Sequence, residues 1–191
     1  MRVDSVGAHG EATKDPAVSW RAVLEIVRAL ALAVVISVVL NLFVVQVTEV
    51  RQRSMEMTLE QDDRVLVSKL DYRFGQPHAG DIVVFDPPEP GSTIPFVKRV
   101  IGVGGDTIDL RDGDVFVNGN PVETPQARGR TLPLGTVAFP FLVPEGQVFV
   151  LGDNRQVSSD SRSFGPVPVG NIVGKVVMRF WPVTRIRFFD W

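Results

Sequence analysis

Two different kinds of sequence meet at Arg53-Ser54-Met55-Glu56-Met57-Thr58-Leu59. An apolar run without charged residues, Ala29 to Thr48, ends five residues before it. Short runs rich in β-branched residues begin after it and continue to the end of the chain. Apolar stretches of such different length favour different elements, so we predict one N-terminal helix followed by a β-rich domain.

The uncharged run is long enough to cross a membrane as a helix. Its twenty residues would extend about 30 Å, the thickness of the bilayer hydrocarbon. A cleaved secretory signal has a shorter apolar region of about 7–15 residues and a small-residue cleavage site. A buried core helix would have an apolar stripe, whereas this run is apolar on all sides. We therefore predict a transmembrane helix over residues 23–48, after a polar tail over residues 1–22.

The rest of the chain, residues 49–191, has the pattern of an antiparallel β domain. The predicted strands are Arg64–Ser68, Asp81–Phe85, Val97–Val103, Asp106–Leu110, Asp114–Val117, Gln147–Leu151, Ile172–Phe180 and Arg185–Phe189. Asn118-Gly119 is a strong signal for a two-residue hairpin. No amphipathic helical pattern separates the strands, which argues against a parallel sheet. We expect an antiparallel sandwich or partly closed barrel, with residues 107–147 as a small inserted subdomain.

Composition excludes several classes of function. The 191 residues carry a net charge of −2 and include no cysteine and only two histidines. Cysteine proteases, disulfide frameworks and cysteine metal sites are therefore excluded. The sequence has no cluster of basic residues that would indicate a nucleic-acid partner. The spacing of the aspartates is not that of metal ligands. We expect neither a metal nor a cofactor, and we assign no catalytic role to His9 or His78.

Ser54 and Lys98 are candidates for a nucleophile and its base. A serine hydroxyl is a weak nucleophile until a neighbouring base takes its proton. Lysine can be that base when burial lowers its pKa. Strand alternation places Lys98 on one face with Phe96 and Val100, which is an apolar setting. Taken alone, an ordinary loop serine and a solvated strand lysine would fit the same residues.

A dense polar loop follows the apolar strand that ends at Leu151. It reads Gly152-Asp-Asn-Arg-Gln-Val-Ser-Ser-Asp-Ser-Arg162. A solvated loop has a similar composition. This loop also supplies hydroxyls, carboxylates and guanidinium groups of the kind that orient catalytic side chains.

Together these segments resemble the bacterial type I signal peptidases, also called leader peptidases. Ser54-Met55-x-x-Thr58-Leu59 resembles the nucleophile motif of that family, and Val97-Lys98-Arg99-Val100-Ile101-Gly102 resembles its lysine motif. The strand motifs between them are similar to Asp63–Val67 and Gly80–Phe85. The last motif is similar to Gly152–Pro168. Several ordered motifs, covering most of residues 49–191, are far more specific than any one of them.

The resemblance implies a Ser-Lys mechanism that proceeds through an acyl-enzyme. Ser54 would attack the peptide carbonyl, Lys98 would act as general base, and Ser158 would hydrogen-bond to Lys98. Asp153 would pair with Arg99 and Asp160 with Arg162. Four residues map near the pockets that select small side chains before the cut: Val50, Met55, Leu59 and Val97.

The sequence departs from the family before and after the nucleophile. The usual Pro-Ser-x is replaced by Arg51-Gln52-Arg53, and Met57 replaces a frequent proline. Because the earlier serine often helps to bind the oxyanion in this family, we expect the Gln52 amide to donate there instead.

The resemblance also implies the location and the partners of the chain. It favours a single-pass protein of the plasma membrane with a cytoplasmic N-terminus and an extracytoplasmic catalytic domain. Its partners would be the signal peptides of preproteins and the lipid bilayer, with the Sec translocon as a further candidate. Two alternatives stay open: a self-cleaving repressor-type peptidase, and an inactive domain that binds extended peptides by strand addition.

Overall fold

The computed structural model describes residues 20–87 and 94–189. The chain forms two compact units, one ending at Val39 and the other beginning at Leu40. The polar tail predicted for residues 1–22 lies outside the described residues, except for residues 20–22, which are helical. The second unit carries the β structure.

The first helix, α1, covers Trp20–Phe43. Nearly all side chains of residues 20–38 are exposed, so no single face is distinguished by burial. No helix within residues 20–87 and 94–189 is both long and apolar enough to cross a membrane. The predicted transmembrane helix therefore stays a prediction.

The structure corrects the end of the predicted helical span. The helix ends at Phe43, and residues 45–49 form a strand instead of the last turns predicted up to residue 48. This strand pairs antiparallel with residues 64–68, in a register that joins Val45 to Ser68. Valine and threonine favour strands where a partner strand is available, so tertiary pairing overrides the apolar run here.

Twelve strands are present in the described residues. They are β1 Val45–Glu49, β2 Arg64–Ser68, β3 Ile82–Phe85, β4 Phe96–Val103, β5 Thr107–Arg111, β6 Asp114–Val117, β7 Asn120–Pro121, β8 Phe141–Leu142, β9 Gln147–Leu151, β10 Val167–Pro168, β11 Ile172–Trp181 and β12 Arg187–Phe188. Two short helices, α2 Asp71–Phe74 and α3 Ser161–Phe164, and three 3₁₀ turns, Arg53–Met55, Val169–Asn171 and Val183–Arg185, complete the set. The protein is mainly β, as predicted.

The strands form two antiparallel sheets. The large sheet has the order β1-β2-β11-β3-β4-β9-β10, with β12 paired to β11. The small sheet has the order β7-β6-β5-β8 and lies within the predicted insertion, residues 107–147. Closure of the large sheet into a sandwich or partial barrel stays a prediction.

Both faces of the large sheet are covered by apolar side chains. In β3, Ile82 and Val84 belong to one buried cluster, while Val83 and Phe85 belong to another on the opposite face. A strand buried on both faces loses the alternation of apolar and polar residues, which explains the continuous apolar run Ile82–Phe85. The centre of this sheet, next to strand β4, is therefore buried on both faces.

Candidate active site

Ser54 lies on a short turn that is anchored by its neighbour. It is the middle residue of the 3₁₀ turn Arg53–Met55 and is 3% exposed. Met55 is fully buried in the cluster that contains Val50 and Leu59. The Met55 carbonyl also accepts the Leu59 N–H at 2.8 Å. The burial of Met55 therefore fixes the place of the serine next to it.

Lys98 lies in β4, and its amine reaches this serine. Lys98 Nζ is 2.7 Å from Ser54 Oγ and 3.2 Å from Gln52 Oε1. The ring of Phe96 has its centroid 4.9 Å from the same amine. Lys98 is only 1% exposed. The structure thus brings together the two residues that the sequence analysis paired, although 44 positions separate them.

The surroundings of Lys98 shift its acidity towards neutrality. Burial lowers the pKa of the Lys98 amine from its ordinary 10.5 to about 8, and the negative charge of Asp160 opposes part of this shift. Burial acts in this direction because a dry environment disfavours the charged form of an amine. At pH 7, about one molecule in ten then holds a neutral amine that can take the Ser54 proton across the 2.7 Å contact.

Ser158 does not make its predicted contact. Its Oγ is buried and has no hydrogen-bond partner among residues 20–87 and 94–189. The hydrogen bond predicted from Ser158 to Lys98 is therefore not present, because the amine is directed at Ser54 and Gln52 instead. A role for Ser158 in orienting the lysine stays a prediction.

Arg99 and Asp153 form a buried ion pair beside the site. Arg99 Nε donates to Asp153 Oδ1 at 2.9 Å, and Arg99 Nη2 donates to Asp153 Oδ2 at 2.8 Å. Thr58 donates to the same Oδ2 at 2.6 Å, and Arg99 Nη1 reaches the Gly80 carbonyl at 2.8 Å. This network connects the turn that carries Ser54 to β4 and to the polar loop after β9.

A second buried ion pair organises that polar loop. Asp160 accepts from Arg162 Nε and Nη2, both at 2.8 Å, and these side chains are 0% and 1% exposed. Asp160 Oδ2 also accepts the Gly152 N–H at 3.1 Å, and Arg162 Nη2 also donates to the Arg155 carbonyl at 2.7 Å. Both predicted ion pairs are present, and each closes a bidentate contact of the kind that gives geometric specificity.

Gly152 allows the polar loop to approach the serine. A Cβ atom at this position would lie 2.6 Å from the Ser54 carbonyl oxygen and 2.2 Å from Ser158 Oγ. Distances this short exclude any side chain unless the backbone moves. The glycine thus explains how the loop and the turn can pack directly against each other.

The carboxylates near Lys98 are paired with arginine rather than grouped with one another. Asp153 binds Arg99, and Asp160 binds Arg162. Within the part of the chain that the structure describes, no three His, Cys, Asp or Glu side chains lie close enough to hold a metal ion. The acidic side chains therefore serve here as partners of buried guanidinium groups.

The four predicted pocket residues lie together in one core cluster. Val50, Met55, Leu59 and Val97 are all buried, with at most 6% of any of them exposed. They form an apolar layer that includes Met55 of the Ser54 turn and Val97 of β4. Such a layer can border a small apolar pocket, but only its outermost atoms are open to a ligand.

Sequence reasoning assigned no role to three residues that the structure places in the site. Thr58 bonds Asp153 across 95 residues, and Asn154 Nδ2 bonds Glu56 across 98 residues. The Asn154 backbone N–H also donates to the Ser54 carbonyl at 2.9 Å. Thr58 and Asn154 are residues of the family motifs, which could have identified them. Glu56 stands at a position that the nucleophile motif leaves unrestricted.

Comparison with known proteins identifies the family. The model of the family described as "Signal peptidase, peptidase S26" matches residues 23–181. Signal peptidase I of Leptolyngbya laminosa is 39% identical over 169 residues, covering 85% of this chain and 82% of that protein. Signal peptidase IB of Staphylococcus aureus is 34% identical over 180 residues, covering 86% and 93% of the two chains.

One solved structure completes the comparison. The crystal structure of a signal peptidase I from Enterococcus faecalis is 32% identical, covers 53% of this chain and 97% of its own, and superposes with a TM-score of 0.44. The family match and the two relatives each extend over more than four fifths of this chain. The chain therefore belongs to the signal peptidase family, peptidase S26, and is a serine peptidase.

Proposed function

We propose that this chain is a membrane-anchored endopeptidase that removes signal peptides from exported preproteins after small residues of the Ala-x-Ala type. Ser54 is its nucleophile and Lys98 its general base. The observation that carries the proposal is the 2.7 Å contact between Ser54 Oγ and an amine whose pKa is lowered to about 8. A serine and a base within hydrogen-bond reach are what acyl transfer requires.

The reaction begins with proton transfer from Ser54 Oγ to the neutral amine of Lys98. The oxygen attacks the scissile carbonyl, and the Lys98 ammonium then gives its proton to the leaving amine, which releases the mature protein. The signal peptide remains as an ester on Ser54. Lys98 next takes a proton from water and the hydroxide attacks the ester. The signal peptide leaves with its new carboxyl group, and the Lys98 ammonium returns the proton to Ser54 Oγ.

The open edge of β4 supports binding of an extended substrate. The pairing of β4 with β9 begins at Arg99, opposite Leu151. The preceding residues, Phe96–Lys98, pair only with β3 among the described residues. A peptide can add as a strand along this free edge, next to Ser54, with its alternate side chains directed at the apolar layer. We expect small residues to be selected where the peptide meets the buried side chains of Val50 and Val97.

The uncharged run Ala29–Thr48 supports membrane anchoring. Much of it lies in α1, and a domain of the length of residues 49–191 can be translocated largely regardless of flanking charge. We therefore infer a single-pass protein of the plasma membrane, with the N-terminus in the cytoplasm and the β domain outside. The signal peptides of preproteins, the bilayer and the Sec translocon are its proposed partners.

Cleavage of a preprotein by the full chain in detergent tests the function. We expect the wild type to release a mature protein that begins after a small residue, and Ser54→Ala to release none. The new N-terminus is read by mass spectrometry. Binding of the peptide without cleavage by the wild type would favour an inactive strand-addition domain instead.

The pH dependence follows from the protonation state that the base needs. Because only the neutral amine accepts the serine proton, kcat/KM should rise about tenfold per pH unit below the pKa of Lys98. The rise should level off above pH 8, where the amine, with its pKa of about 8, becomes mostly neutral. Initial rates between pH 6 and pH 10 on one preprotein measure this rising part of the pH profile, called the pH limb below. An activity that is flat between pH 6 and pH 9 would remove Lys98 from the role of base.

Gln52 is expected to assist catalysis through both ends of its amide. Its Oε1 accepts from Lys98 at 3.2 Å, which leaves its Nε2 to donate to the oxyanion beside the Ser54 N–H. Loss of one such donor typically costs about 10²–10³ in rate, so Gln52→Ala should slow cleavage by about that factor. Gln52→Glu should be similarly slow and should also move the pH limb upwards, because a carboxylate stabilises the nearby ammonium.

These two variants separate the roles of Gln52. Kinetics with both, over the same pH range, distinguish loss of a donor from a change in the lysine. If Gln52→Ala turns over as fast as the wild type, Gln52 has no part in the mechanism.

A further inference from the structure

The Glu56 carboxylate binds one residue next to the serine in the chain and one residue from a separate loop. Its Oε1 accepts from Arg53 Nε at 2.6 Å, and its Oε2 accepts from Asn154 Nδ2 at 2.8 Å. Arg53 directly precedes Ser54 on the same 3₁₀ turn, whereas Asn154 lies in the polar loop after β9. One carboxylate therefore bridges the nucleophile turn and a separate loop.

Asn154 returns a second contact to the same turn. Its backbone N–H donates to the Ser54 carbonyl at 2.9 Å, while its side chain donates to Glu56. Two parallel contacts between the same two segments fix distance and also orientation. The carbonyl of the nucleophile thus belongs to a closed ring of contacts formed by Arg53, Ser54, Glu56 and Asn154.

The segment just after the serine is partly exposed and has an unfavourable backbone conformation. The buried residue Met55 anchors its inner side, but Met57 is 65% exposed and has a φ of 86°. A positive φ is unfavourable for a residue with a side chain, so the backbone just after the serine persists only where surrounding contacts hold it. Glu56 stands between Ser54 and Met57 in the chain and makes contacts of this kind.

We propose that Glu56 is a positioning residue for the nucleophile in this chain. It acts through Arg53 and Asn154, and it keeps Ser54 Oγ within reach of the Lys98 amine. The inference rests on the proposed function, since its main measurement is turnover. The carboxylate adds side-chain contacts to the backbone hydrogen bonds of this turn, such as the one from the Glu56 N–H to the Arg53 carbonyl at 3.2 Å.

The central experiment compares full-length wild type with Glu56→Ala in the preprotein assay. We expect kcat to fall by about tenfold to a hundredfold, since small displacements of a nucleophile have effects of this size. KM should change by less than about twofold and Tm by less than about 2 °C, because the Arg53–Glu56 pair lies at the surface, with 69% and 21% of the two side chains exposed. Hydrogen exchange of the peptide that contains the Asn154 amide should become faster in the variant.

Two further variants locate the effect. Asn154→Ala should lose as much kcat as Glu56→Ala, and the double variant little more, because coupled residues are not additive. Glu56→Gln keeps an acceptor for Asn154 and should recover most of the lost rate. Asp109→Ala is the matched control: it removes a similarly exposed pair with Arg111 at 2.7 Å in the small sheet and should leave kcat unchanged.

Each outcome decides between the two proposals. If wild type does not cleave, the proposed function fails. If wild type cleaves and Glu56→Ala retains kcat within about twofold, the positioning role is wrong. A large fall of Tm together with kcat also overturns it, since the carboxylate would then stabilise the fold and not the geometry of the serine. Additive losses in the double variant would show that Glu56 and Asn154 act separately.

Discussion

Replacing Lys98 with methionine is expected to abolish cleavage and to raise the stability of the fold at neutral pH. Loss of the base should lower kcat/KM by at least about 10³, because the Ser54 hydroxyl is then left without a group to take its proton. Methionine fits the space because it has a similar length and adapts to irregular cavities. The preprotein assay measures the first effect, and thermal or urea unfolding measures the second.

The sign of the stability change follows from the depressed pKa of Lys98. That pKa is about 8 in the fold and 10.5 as its ordinary value, so the unfolded chain holds the proton more tightly. Below pH 8 both states are charged, and the fold then bears the full cost of a buried ammonium, about 3 kcal/mol. Removing the amine recovers part of this cost, offset by the loss of its hydrogen bonds to Ser54 and Gln52. The gain should shrink as pH rises from 8 towards 10.5.

The same substitution at Lys175 is expected to have the opposite effect and to lower the stability of the fold. Lys175 is also buried, but its Nζ lies 2.8 Å from Asp81 Oδ1. Removing this amine leaves a partly buried carboxylate with less compensation, which destabilises the fold. A Lys98→Met variant that is less stable than wild type at pH 7, by as much as Lys175→Met, would contradict the account of Lys98 as a costly buried charge.

Much of the fold could be predicted from local patterns, and the exceptions have a common cause. Asn118-Gly119 and the β-branched runs specify their own turns and strands through residues that are close in sequence. The strand β1 was missed because Val45 to Thr48 continue an uncharged run whose partner, β2, lies almost twenty residues further on. The residues of this run contain no local pattern that predicts pairing with a strand so far along the chain.

The active site depends even more on contacts between segments that are distant in the sequence. Ser54 and Lys98 were identified because their motifs resemble those of a family, and their 2.7 Å contact depends on packing between segments 44 residues apart. The direction of a side chain is even harder to predict from the sequence. The Lys98 amine bonds Gln52 and not Ser158, and no spacing rule specifies which acceptor a flexible side chain selects. Glu56 was overlooked because its partner Asn154 is 98 residues away.

Neutralising Asp160 should weaken the fold and change the acidity of the base at the same time. In Asp160→Asn the buried Arg162 loses its charged partner, and breaking such a pair costs about 3 kcal/mol or more. The charge of Asp160 also raises the pKa of Lys98, against the effect of burial. Without it the lysine should lose its proton more readily, so the pH limb of kcat/KM should move to lower pH. Urea unfolding and the pH profile measure the two effects.

Asp153→Asn is the control that separates the charge effect from the loss of stability. Asp153 is as buried as Asp160 and is paired with Arg99 in the same bidentate way, so its loss should destabilise the fold to a similar extent. The charge that opposes the pKa shift of Lys98 comes from Asp160, so the pH limb of Asp153→Asn should stay where the wild type has it. If both variants move the limb equally, the shift reflects a loosened site. If only Asp160→Asn moves it, and downwards, the carboxylate of Asp160 sets the proton affinity of the amine that activates Ser54.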